Sequence, residues 1–101
     1  MIYRVKATFN NTKAREFYRK LTDGTIAQQR PDGPEIVRSM QRATVDEQGN
    51  VHWTERCFCP TPLQHERATV YDDYFTDLAV EPVDKTIALE GASFMEKLAQ
   101  M

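Results

Sequence analysis

Glu35–Cys59 reads EIVRSMQRATV, then DEQGN, then VHWTERCFC, and its first eleven residues fit two periods. Ile36, Val37 and Met40 match a helical stripe. Val37, Ser39, Gln41, Ala43 and Val45 match one face of a strand, with Ile36 and Met40 on the other. Asp46–Asn50 is a polar turn containing Gly49-Asn50, and Val51–Phe58 is rich in β-forming residues. Two extended runs about a short glycine-containing turn read as a hairpin. Glu35–Val45 is therefore expected to be a strand. In Val51–Cys59, the positions Val51, Trp53, Glu55, Cys57 and Cys59 share one face; His52, Thr54, Arg56 and Phe58 share the other. Neither face is purely apolar, as in a sheet covered on one side and partly covered on the other.

Upstream, Tyr3, Val5, Ala7 and Phe9 alternate with Arg4, Lys6 and Thr8, the period of a half-buried strand over Ile2–Phe9. Asn10-Asn11 breaks it and offers a helix cap. From Thr12 to Asp23 the period changes: Ala14, Phe17, Tyr18 and Leu21 form one stripe, and Gly24 suits the helix end. Thr25–Pro34 is a turn-rich connection whose TIAQQ portion would also extend a helix. Downstream, Thr61, Pro62 and Gln64 carry the signature of a capping box with proline at the first helical position. A helix is expected from there toward Asp77, with residues 77–83 as a fourth strand and Pro82 near its end. Ile87 and Leu89 suggest a short extra strand, and Phe94, Leu98 and Met101 a last helical turn or two.

The expected order is β–α–β–β–α–β with a short β/α tail, an α+β domain of the split βαβ pattern spanning residues 1–101. In element order and pattern, the opening IYRVKATFNNTKAREFYRKL resembles that of small ferredoxin-like and dimeric α+β-barrel proteins. The resemblance implies an antiparallel sheet with both helices on one face and the other face open to pairing, hence a homodimer. It carries no catalytic motif, and likeness of fold does not license function.

Composition narrows the classes. The chain has 101 residues, 41% hydrophobic and 28% charged, as for a single soluble globular domain. No apolar run reaches the ~20 residues of a membrane span, and MIYRVKATF lacks a signal peptide's apolar block. A cytoplasmic location is expected, in keeping with only two cysteines. Residues 1–50 carry a net +3 and residues 51–101 a net −5. Without a basic cluster, nucleic acid is not expected as a partner.

Three constellations bear on chemistry. Cys57 and Cys59, with His65 at the first turn of the second helix, are candidate soft ligands for a metal, with His52 or Asp72 as a fourth; the alternative is two thiols packed at a sheet end. His52, His65 and Arg56 are candidate acid–base or substrate-contacting groups. Trp53, Cys57, Cys59, His65 and Arg67 are candidate binding residues. Trp53 would anchor a partner on the open sheet face or else fill the covered core. No glycine-rich phosphate loop, nucleophile elbow or HExxH occurs. The expectation is a non-enzymatic binding or regulatory module that self-associates and needs no cofactor. The alternatives are a small dimeric enzyme acting on an organic molecule, with its cleft beside Thr25–Pro34, and a Cys/His metal or redox protein.

Overall fold

The computed structural model describes residues 1–101. Its elements in chain order are β1 (Ile2–Phe9), α1 (Ala14–Thr22), α2 (Gly33–Arg42), β2 (Thr44–Val45) and β3 (Asn50–Arg56). Then come α3 (Gln64–Glu66, Arg67–Tyr71 and Asp72–Tyr74 in succession, the middle portion a π-helix), β4 (Phe75–Val83), β5 (Ala92–Ser93) and α4 (Phe94–Gln100). The five strands form one antiparallel sheet in the order β4-β1-β3-β2-β5. The chain is thus an α+β fold of five strands and four helices.

The alternation of β1 does what its sequence implies. Tyr3, Val5, Ala7 and Phe9 are buried, and Val5 sits between Trp53 of β3 and Val80 of β4. The helices pack on this inner face. Phe17 of α1 stacks on Phe9, Tyr71 of α3 lies against Trp53, and Phe94 of α4 meets Phe9 edge-on. Phe75 joins the two groups of rings, 5.4 Å from Phe9 and 5.1 Å from Trp53, between centroids. Such tilted and edge-on pairs add to the free energy of area burial. The expected cap at Asn10 is present, its side chain accepting from the Thr12 N–H at 3.2 Å.

Over Glu35–Val45 the helical period prevails, correcting the expected strand. Gly33, Ile36, Ser39 and Met40 are all buried, one helical stripe, while Glu35 reaches Arg38 at 3.3 Å and Arg42 at 3.5 Å on the wetter side. Pro34 sits in the first turn, where its missing N–H costs nothing. The hairpin itself survives in shortened form. Asp46 Oδ1 accepts from the N–H groups of Gln48 and Asn50, Gly49 takes φ +86°, and only Thr44 and Val45 precede the turn as strand.

Other boundaries move too. Helix α3 begins at Gln64, not at a Thr61 cap; Leu63 before it is held in the left-handed region at φ 57°. TIAQQ folds into turns. Strand β4 starts at Phe75, and an extra residue bulges opposite β1 between Lys6 and Thr8, with Asp77 at φ 53°. Ile87 and Leu89 form no strand; the strand falls later, at Ala92–Ser93.

Strands β4 and β5 lie at opposite edges of the sheet, so residues 84–91 must cross between them. Ile87, Ala88, Leu89 and Glu90 line a hollow together with Arg4 and His52 of the outer face. The face expected to be bare is therefore strapped, and Thr54 on it is only 2% exposed. After the strap, α4 returns to the helical side and buries Phe94 and Leu98 in the core. Phe94→Ala should therefore lower the unfolding free energy by about 3–5 kcal/mol in a urea titration. A loss below ~1 kcal/mol would show that α4 is peripheral.

Candidate functional site

The polar end of the core lies where β3 runs out. The alternation that buries Trp53 also turns Glu55 and Cys57 inward. Cys57 is pinned there by its N–H to the Met1 carbonyl at 2.9 Å. The chain then doubles back, and the Cys59 N–H donates to the Cys57 sulfur at 3.3 Å. The left-handed turn at Leu63 sets the start of α3. The first turn of α3 delivers Glu66, 1% exposed, whose Oε1 accepts from the Cys59 thiol at 3.4 Å. One ligand-type atom from each of Cys57, Cys59 and Glu66 lies within 4.8 Å of the others.

Glu55 is also 1% exposed. Its Oε1 accepts from the Trp53 indole N–H at 3.0 Å and from the Tyr71 hydroxyl, while its Oε2 has no hydrogen-bond partner. Burial pushes its carboxyl up to about 8, with the nearby carboxylates of Glu66 and Glu35 raising it further against the two donated hydrogen bonds. Burial likewise pushes the Cys57 thiol up to about 12. Neither Glu55 nor Glu66 has an ion-pair partner among lysine, arginine and histidine.

A hollow of about 380 Å³ opens beside the thiols, lined by Pro31, Asp32, Glu35 and Arg38 from the start of α2 and by Arg56, Cys57, Phe58 and Cys59. Phe58 is 86% exposed at this hollow, an unusual position for a large apolar ring. The Arg56 guanidinium enters no ion pair, whereas Glu35 is shared between Arg38 and Arg42 and also accepts the Arg56 N–H at 3.1 Å.

Of the residues singled out in the sequence, Cys57, Cys59 and Arg56 meet at this hollow. His65 reaches its flank only indirectly, through Nδ1 bonded to the Asp32 carboxylate. His52 lies on the outer face, 2.8 Å from Asp46, whose carboxyl is held down to about 2 by that bond and by the Asn50 and Gln48 N–H groups. Trp53 is wholly buried, so the covered core is its place. Arg67 pairs with Asp72 at 3.1 Å, and Asp72 is not among the ligand-type groups gathered at the thiols. The two histidines and Arg56 therefore do not converge. Glu66 is not among the ligands the sequence suggests on this helix, which are His65 and Asp72; adjacent helical residues point apart, and where His65 turns to Asp32, Glu66 turns to the Cys59 thiol. Glu55 was legible as a carboxylate in register with Trp53 and Cys57.

No protein-family model matches the chain, and no curated protein and no solved structure matches it.

A carboxyl with a raised folded pKa favours the folded state fully below its ordinary range, and that stability is lost as pH rises toward the folded value. In chelator-treated protein, stability should therefore fall between pH 4.5 and about 8 on account of Glu55. Glu55→Gln should flatten this fall and gain on the order of a few kcal/mol at pH 8, read by denaturant titration at each pH. An unchanged slope would place the titrating group elsewhere.

Proposed function

We propose that the protein is a small non-enzymatic binding module whose ligand enters the hollow between the start of α2 and Cys57–Cys59. The observation that carries this is Phe58, a solvent-exposed ring beside an unpaired guanidinium, Arg56, at a hollow that also reaches the thiols. A planar apolar body with an anionic group suits that pair: the body covers Phe58, and the anion meets Arg56 through charge-assisted hydrogen bonds. Catalysis has less support. A thiol held protonated by burial is the reverse of an activated nucleophile, and neither histidine bonds to a thiol: His52 pairs with Asp46 on the outer face and His65 with Asp32.

We read the architecture as a split βαβ domain with an appended edge strand, since β1 to β4 stand in the order β4-β1-β3-β2 and β5 adds beyond them. Self-association on the outer face, expected from the sequence, would meet the strap and not a bare sheet. The strap crosses that face, and the aromatic residue that would have anchored a partner lies in the core.

Benzoate serves as the simplest probe. Titrated into labelled protein, it should perturb the amide resonances of residues 56–59 with roughly millimolar affinity, as befits a fragment. Phe58→Ala and Arg56→Ala should each weaken it at least tenfold while leaving the unfolding midpoint in place. No perturbation at 56–59, or equal affinity in both variants, would overturn the assignment.

A further inference from the structure

We propose that Cys57, Cys59 and Glu66 form a binding site for a soft divalent metal ion of the zinc type, with its fourth coordination position facing the hollow. Two sulfurs and a carboxylate oxygen are the donor set that borderline-soft ions take. In a tetrahedral site with metal–sulfur bonds near 2.3 Å, the sulfurs stand roughly 3.8 Å apart. The three donors here lie within 4.8 Å of one another, so the two sulfurs need close by no more than about 1 Å, and the Cys59 sulfur already stands 3.4 Å from the Glu66 oxygen.

Independent features point the same way. The Cys57 sulfur already receives a peptide N–H, from Cys59, a contact that stabilises a thiolate and orients it. Leu63, in the turn between the thiols and Glu66, is held in a left-handed conformation that is unfavourable for a branched residue. Glu66 and Glu55 are both buried with no basic side chain to balance them, and Glu55 Oε2 is an orphaned acceptor two residues from Cys57 on the same face of the strand. Coordination would give the buried Glu66 carboxylate a direct cationic partner. Glu66 thus takes the place expected of His65, which Asp32 holds.

On binding, two metal–sulfur bonds and one metal–oxygen bond form and both S–H bonds break, their protons passing to solvent. No oxidation state changes. Uptake should release about two protons per ion and strengthen as pH rises. The ion would lie at the sulfur end of the hollow assigned above to an aromatic acid. The two assignments share that hollow, but the metal test uses no organic ligand, so either can fail alone.

Cobalt(II) is the probe for reduced, chelator-treated protein. One equivalent should produce thiolate-to-cobalt charge-transfer absorption in the near ultraviolet, lost on adding zinc. Cys57→Ser and Cys59→Ser should each lower affinity at least 100-fold, and Glu66→Gln at least tenfold with the absorption retained. His52→Ala, which removes a ligand-type residue from the outer face, should change nothing. Zinc should also protect both thiols of the unsubstituted protein from iodoacetamide. Absence of the charge-transfer band, binding unaltered by the cysteine substitutions, or alkylation equally fast with and without zinc would overturn the site.

Discussion

One buried oxygen, Glu55 Oε1, ties the two halves of the functional region together. It accepts from Trp53 of its own strand and from Tyr71 of α3. A carboxyl taken from water is tolerated only where hydrogen bonds replace its hydration, and these two come from opposite sides of the core. The bond to Tyr71 fixes where α3 lies along β3. That placement sets Glu66 beside the thiols. The site is a consequence of how the sheet and this helix are stapled.

The helix so placed is not a regular one. Arg67–Tyr71 widens into a π-helix between two short α segments, and Val70 and Tyr71 are both buried within it. Local widening of this kind is found where a helix must turn particular side chains toward a site. Here both inward-facing functional groups, Glu66 before the widened turn and Tyr71 at its end, address the same polar pocket of the core.

How much of this was legible depended on whether a local pattern had a competitor. Ile2–Phe9 and Thr12–Asp23 each carried one strong period, and both elements formed close to where the pattern put them. Glu35–Val45 carried two, and the β-rich segment after the turn pulled the choice toward strand. What favours helix there is packing of Ile36, Ser39 and Met40 against the rest of the core, which no local window contains. The capping signature at Thr61–Gln64 failed similarly, because the tertiary role of Leu63 overrode a local preference. Among site residues, the cysteines and Arg56 were visible through their chemistry. Glu66 and Asp32 join them only through contacts made on folding, Glu66 with Cys59 and Asp32 with His65.

The bulge in β4 has a bearing on how the molecule behaves in company. Strand β4 is an edge, and an edge offers its free N–H and C=O groups to any passing strand. The kink at Asp77 interrupts that row midway, and Pro82 withholds a donor near its far end. At the opposite margin, β5 is two residues long, too short to template a neighbour. Both flanks of the sheet are thus unsuited to fibril-like growth, and crowding alone gives the fold little route to strand-by-strand aggregation.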